Sequence, residues 1–285
     1  MLGASPPPPS RTMASPSPGT VLITGASAGI GASTAQLLLE RGWRVVAAAR
    51  RLEAMAPLAE RGALVLPLDV GDPASRQQLA EAVQAQAGPL DALVNNAGFG
   101  EVGPLETMPL EQARALFEVN VFGLMGLTQL LLPAMRERGR GRIVNISSIS
   151  GRWAMPGSGW YCASKFAVEA LSDSLRLELR SFGLEVVVIE PGLIATDFPE
   201  VADPSLQRDL AHPVYGRMMG RVRRGWQEAF RGASDPLTVA RTIETALTVR
   251  RPRARYLCGH RASSVPASQL LPTRVWDWLI HSQMA

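Results

Sequence analysis

Lysine is all but absent from this 285-residue chain: among 29 lysines plus arginines, only Lys165 is a lysine. Arginine replaces lysine freely on a solvated surface, but not where a compact ammonium with rotatable donors is needed. Lys165 is therefore a functional candidate before any motif is read. Cysteine is almost as scarce. Cys162 and Cys258 stand in no CxxC or Cys/His spacing, which excludes a disulfide framework, argues against a metal centre and fits a reducing, cytoplasmic compartment. Uninterrupted apolar runs of membrane-spanning length are also missing. The nearest, residues 119–135, is broken by Asn120 and Gln129 and reads as a buried helix. The first 18 residues are rich in Pro and Ser with no apolar signal core, a disordered tail by composition. The net charge of +4 comes with scattered arginines rather than a basic stripe, so no nucleic-acid partner is expected.

What is present is an alternation. Short runs rich in valine, isoleucine and alanine stand at residues 21–24, 44–49, 64–68, 92–95, 142–146 and 186–189, with a last short strand at 255–258. Helical patterns separate them at 30–41, 73–86, 110–136, 161–181 and 237–248. Continuous apolar strands between amphipathic helices predict an α/β fold, a Rossmann-type, doubly wound parallel sheet of about seven strands flanked by helices. The expected organisation is a single domain over residues 19–260, a substrate lid at about 192–232 where the pattern turns irregular, and a C-terminal extension over 261–285 that packs as a helix.

The first strand runs straight into Thr24-Gly25-Ala26-Ser27-Ala28-Gly29-Ile30-Gly31 and a helical pattern. Glycines there allow a tight turn and close approach of backbone N–H groups to a pyrophosphate at the helix N-terminus. Where the second strand ends, a carboxylate would read the ribose of NAD; this chain has Arg50 and Arg51, which suit the 2′-phosphate of NADP(H).

Tyr161 and Lys165 are one helical turn apart. A tyrosine hydroxyl ordinarily titrates near pH 10, and a neighbouring ammonium is expected to lower that pKa toward the working range of a general acid/base. The strand ending at Ile146 delivers Ser147 and Ser148 to the carboxyl edge of the sheet, where ligands bind in open α/β folds.

The TGxxxGxG turn and the YxxxK pair resemble those of the short-chain dehydrogenase/reductase family, and the look of the chain, Tyr161-Cys162-Ala163-Ser164-Lys165-Phe166 included, is similar to its hydroxysteroid and retinol dehydrogenase branch. The resemblance runs from Thr20 to Thr196. It implies that the catalytic serine lies thirteen residues before the tyrosine, which selects Ser148, and that Asn120 joins a water-mediated proton relay to Lys165. It assigns Asp69 and Val70 to the adenine, Asn96, Ala97 and Gly98 of an NNAG element to the cofactor, and Pro191, Gly192, Ile194 and Thr196 to the nicotinamide end. Tyr161 and Lys165 would touch the cofactor as well. The implied chemistry is direct hydride transfer between a nicotinamide and a carbonyl or alcohol carbon, with Tyr161 moving the proton and Ser148 steadying the oxygen.

Bulky apolar residues mark the expected substrate pocket: Phe99, Trp153, Met155, Trp160, Leu193, Phe198, Met218, Met219 and Trp226. They favour a lipophilic small molecule such as a steroid, retinoid or lipid. Two alternatives stand beside this reading. One is a reductase of carrier-bound 3-ketoacyl groups, with Arg217, Arg221, Arg223 and Arg224 meeting an acidic carrier; the other is a non-catalytic NADP(H) sensor. A homodimer or homotetramer packed through residues 110–136 and 161–181 is the assembly that the resemblance implies.

Overall fold

The computed structural model describes residues 18–196 and 207–284. Their seven strands form one parallel sheet in the order β3-β2-β1-β4-β5-β6-β7. The strands are β1 (Thr20–Thr24), β2 (Arg44–Ala49), β3 (Leu64–Pro67), β4 (Ala92–Asn95), β5 (Gly141–Ile146), β6 (Leu184–Pro191) and β7 (Arg255–Cys258). The order reverses direction between β1 and β4. That switch point opens a crevice at the strands' carboxyl ends.

Strand periodicity explains why both faces are covered. Successive side chains point to opposite faces, so Val21 and Ile23 join Val45, Ala47, Val144 and Ile189 in one buried cluster, while Leu22, Val46, Ala48 and Leu93 enter another. Two helices cover the first face, α1 (Gly29–Glu40) and a late helix, Pro236–Thr248, which contribute Leu38, Val239 and Ile243. The second face is covered by α3 (Pro73–Gln86), which follows the short α2 (Ala56–Glu60), and by α5 (Leu124–Glu137), through Leu79, Val83, Leu127 and Leu131. Below β5 and β6, α6 (Gly159–Leu179) buries Leu175 and Leu179 against Ile143 and Val186. Each fully buried aliphatic side chain contributes about 1.5–3 kcal/mol relative to exposure.

The single helix expected over 110–136 is interrupted. α4 (Leu110–Phe117) passes into a π turn, Glu118–Gly123, before α5 resumes. Gly123 accounts for the close approach at this point, since a Cβ on it would lie 2.2 Å from the Val70 carbonyl oxygen. The whole stretch is long and apolar enough to cross a membrane, yet Leu116, Leu124, Leu127 and Met135 are buried.

Residues 192–232 also depart from the irregular segment expected. Their latter part forms α7 (Gly216–Phe230), with Met219, Val222 and Ala229 buried. The late helix Pro236–Thr248 is α8, and the C-terminal part carries α9 (Val265–Ser268) and α10 (Thr273–Met284). Apart from Pro18, the expected tail lies outside the described residues.

Candidate active site

At the end of β1 the chain makes a tight turn into α1. Gly25 has φ +67° and Gly29 φ +52°, the left-handed region that glycine enters at no steric cost. Gly31 is required for a different reason: a Cβ there would stand 2.3 Å from the Gly25 carbonyl oxygen. The α1 N-terminus has no side-chain cap, so its first N–H groups are available to an anion. Ser27 and Ile30 line the cleft beside this turn, and the Thr196 methyl lies beneath Gly29.

Thr24 was missed as a site residue, and it ties the two halves of the switch point together. Its hydroxyl accepts from the backbone N–H groups of Asn96 and Ala97, both at 3.0 Å, while Asn96 Nδ2 donates to the Thr24 carbonyl at 2.9 Å. The threonine stood in the motif, but only its place beside β4 gives it this role. Deeper in, Asn95 Nδ2 donates to Thr128 and Asn145, and Asn145 Nδ2 to Ser172. These buried bonds brace the central strands.

Arg50 and Arg51 follow β2, are exposed and line the cleft; Arg51 Nη2 comes within 3.4 Å of Ser27 Oγ. Asp69 and Val70 line the same end, with the Asp69 carboxylate accepting from the Gly71 N–H at 3.0 Å.

Three chemical groups meet at the other end. Ser148 follows β5; its hydroxyl accepts from the Ser150 N–H at 3.1 Å and stands near enough to the Tyr161 phenol to pull its pKa down. Ser147 also borders the cleft, but its hydroxyl is buried, with no protein partner among the described residues. One turn beyond Tyr161 on α6, Lys165 Nζ lies 5.8 Å from the tyrosine ring centre and donates to the Ile146 carbonyl at 2.9 Å.

The expected lowering of the Tyr161 pKa is not what the chain's own groups produce. Burial pushes the phenol up to about 12, against the Ser148 hydrogen bond, which pulls it down. Lys165 is brought down to about 8 by burial, with the Glu169 charge opposing. Desolvation outweighs the Ser148 hydrogen bond at Tyr161 and the Glu169 charge at Lys165.

Asn120 is buried in the π turn. Its amide donates to the Phe99 carbonyl at 2.9 Å and to Ser164 Oγ at 3.1 Å, and its oxygen accepts from the Phe99 N–H. Asn120 therefore holds the loop after β4. Near Lys165, the space where Gly98 would carry a Cβ lies 3.0 Å from Asn120 Oδ1 and 3.7 Å from Lys165 Nζ.

Behind Lys165 stands a partly buried ionic cluster, centred on the buried carboxylates of Glu169 and Glu190, that sequence reading missed. Arg255 on β7 reaches Glu169 at 2.9 Å, Asp173 at 2.7 Å and Glu190 at 3.5 Å, and Arg152 reaches Glu190 at 3.3 Å. Burial and the Glu169 charge hold the Glu190 carboxyl above its usual range, with both arginines opposing. Nothing in the linear spacing joins these four segments.

Phe99, Trp153, Met155, Leu193 and Trp226 line a cleft of about 1070 Å³ that also contains Gly98, Pro191, Gly192, Ile194 and Thr196. Three expected pocket residues lie elsewhere. The Trp160 ring is turned from the cleft onto α4, edge-on to Phe117 at 6.1 Å, because it sits on a different face of α6 from Tyr161. Met218 and Met219 pack under α7 with Val102 and Val222 rather than lining the cleft. Phe198 lies outside the described residues.

A doubly wound parallel sheet with serine, tyrosine and lysine gathered at its carboxyl edge defines a class of nucleotide-dependent oxidoreductases. This chain belongs to the short-chain dehydrogenases, whose family model matches residues 19–206. It is 37% identical to mouse retinol dehydrogenase 5, covering 90% of this chain and 86% of that protein. It is 36% identical to mouse 17-beta-hydroxysteroid dehydrogenase type 1, over 86% of this chain and 74% of that one. Among solved structures, a short-chain dehydrogenase from Streptomyces avermitilis superposes with TM-score 0.76 at 32% identity, over 93% and 97% of the two chains. A serine dehydrogenase complexed with NADP+ gives 0.73 at 29% identity, over 83% and 92%. A Burkholderia phymatum family member in complex with NAD gives 0.76 at 27%, over 91% and 94%.

Proposed function

We propose that this protein is a cytoplasmic, NADP(H)-dependent oxidoreductase that interconverts a lipophilic secondary or primary alcohol and its ketone or aldehyde. The observation that carries the reading is the gathering of Ser148, Tyr161 and Lys165 in one cleft, with Lys165 Nζ 5.8 Å from the tyrosine ring centre. A nucleotide-sensing protein without chemistry has no need of that arrangement. Both cysteines are buried and free, in keeping with a reducing compartment.

The cleft fits a dinucleotide. Backbone at Gly25, Ser27, Gly29 and Ile30 is bare enough to meet a pyrophosphate, and Gly31 lets α1 pack close enough to present its N-terminus. Arg50 and Arg51 would hold the 2′-phosphate, Asp69 and Val70 the adenine, and Asn96, Ala97, Gly98, Pro191, Gly192, Ile194 and Thr196 the inner half. When bound, the cofactor supplies the hydride chemistry.

The chain's own groups handle the oxygen and its proton. Burial keeps the proton on Tyr161 in the free cleft, ready to be given to a carbonyl oxygen lying against the phenol. Ser148, beside that phenol in the cleft, shares the same oxygen and steadies its developing charge. The Lys165 ammonium faces the phenolate left behind and would also hold the nicotinamide ribose. Phe99, Met155, Leu193 and Trp226 give the substrate an apolar seat, and the names of the retinol and hydroxysteroid relatives support a lipophilic substrate.

The test is a carbonyl screen followed by NADPH oxidation. Tyr161→Phe should lose at least about a hundredfold in turnover with NADPH affinity retained, as expected for a lost general acid. In the same assay Arg50→Ala/Arg51→Ala should weaken NADPH by about tenfold or more while sparing NADH. Near-normal turnover by the phenylalanine variant would sink the mechanism; equal loss of both cofactors would sink the NADP(H) assignment. A preference for carrier-bound ketoacyl groups over free ketones would turn the substrate assignment toward fatty-acyl chemistry.

A further inference from the structure

The stretch just after Ser148 packs on α6 and β6 on one side and takes further partners from the C-terminal extension. Ile149 is buried with Ala262 and Val265. Arg152 Nη2 donates to Gln269 Oε1 at 2.7 Å, and Gln269 Nε2 returns a bond to the Arg152 carbonyl at 3.4 Å. The other arm of Arg152 reaches Glu190 at 3.3 Å, a side chain only 2% exposed. Trp153 stacks on Trp276 of α10, with ring centres 5.1 Å apart and planes 19° from parallel. α10 in turn touches α7, which supplies Trp226 to the facing wall.

We propose that residues 262–276 form a specificity-determining brace, in which Trp276 positions Trp153 as a wall of the substrate end and Gln269 fixes Arg152 behind it. The inference rests on the oxidoreductase reading above and names what selects the substrate there. Trp153 lines the cleft; Trp276 does not and lies behind it. Trp153 stands outside any helix or strand, so no backbone ladder fixes it. A half-buried indole on such a segment owes its position to its contacts. A bulky ketone extending from Ser148 and Tyr161 leans on Trp153, whereas a small one never reaches it.

Trp276 is thus a positioning residue, and two readouts separate this role from general support of the fold. NADPH-dependent reduction of estrone and of cyclohexanone would be measured for the wild type, Trp276→Ala, Trp276→Phe and Gln269→Ala, together with amide hydrogen exchange across residues 149–156. Trp276→Ala should raise KM for estrone by about three- to tenfold, while kcat/KM for cyclohexanone and the Kd for NADPH stay within about twofold of wild type. Exchange over 149–156 should quicken, and phenylalanine should restore most of both effects. Gln269→Ala, a surface change that leaves the fold intact, should quicken the same stretch more weakly. Equal loss on both ketones, or unchanged exchange over 149–156 in both alanine variants, overturns the brace. If the wild type reduces neither ketone, the substrate reading fails by itself, and the exchange arm alone decides for or against the brace.

Discussion

At Lys165 burial and function pull in opposite directions. Its site desolvates the ammonium and brings its pKa down to about 8, yet the phenolate formed at Tyr161 needs a cation opposite it. Reduction should therefore be fastest with Lys165 charged and decline as pH rises through about 8. In Lys165→Arg the cation persists at all accessible pH, so the alkaline limb should vanish even though turnover is poor. A pH profile of kcat that keeps its limb in the arginine variant would move the titration to another group. Stability runs the opposite way to activity. Because the folded pKa lies below the ordinary lysine value, the unfolded chain holds the proton above about pH 8, where the folded one releases it. The buried-charge penalty is full below that pH and is relieved as pH rises from there. The scarcity of lysine made this residue legible in the linear sequence; what the sequence could not show is that desolvation, rather than the ammonium, dominates Tyr161. Trp160 was misplaced for a related reason, since adjacency to Tyr161 in sequence means a different helix face in space.

Among the elements, the strands were the most readable, because a parallel strand buried on both faces leaves a continuous apolar run that survives any neighbour. α7 was not readable from composition. Its buried positions Met219, Val222 and Ala229 are separated by Arg221, Arg223, Arg224 and Trp226, which reads as an irregular, charged excursion until one face is seen to pack on Val102. The π turn was equally hidden: it follows from the approach of Gly123 to the Val70 carbonyl, a tertiary contact. Met219 is fully buried and anchors α7 over the cleft. Met219→Ala should cost about 2–5 kcal/mol of packing, felt first where α7 detaches. Limited proteolysis mapped by mass spectrometry should then cut between residues 207 and 232 faster than in the wild type, and KM for bulky ketones should rise with NADPH binding unchanged. Unaltered cleavage would mean that α7 is held by something other than this cluster, and that the segment acts as a fixed wall rather than a lid.

For the molecule as a whole, the unexplained surface lies on the long helices. Leu110, Phe122 and Leu130 along α4, the π turn and α5, with Phe166 and Leu177 on α6, are 39–63% exposed. α6 packs beside α4 and the π turn, so several of these side chains stand on neighbouring elements. Isolated exposed apolar residues are ordinary, but a grouping of large ones on adjacent long helices marks an association surface. A second copy related by a two-fold axis would cover the same patch on both partners, burying roughly the 1,200–2,000 Å² that a stable interface requires. The protein should therefore sediment as a dimer or tetramer of its 30.6 kDa chain, the assembly implied by its family resemblance. Phe166→Glu with Leu177→Glu places two carboxylates on α6 at positions already exposed, so the monomer should fold with its melting behaviour intact while burial of the charges against a partner becomes prohibitive. Sedimentation of the double variant as a monomer is the expected result. A wild type that sediments as a monomer at micromolar concentration would rule out self-association through α5 and α6.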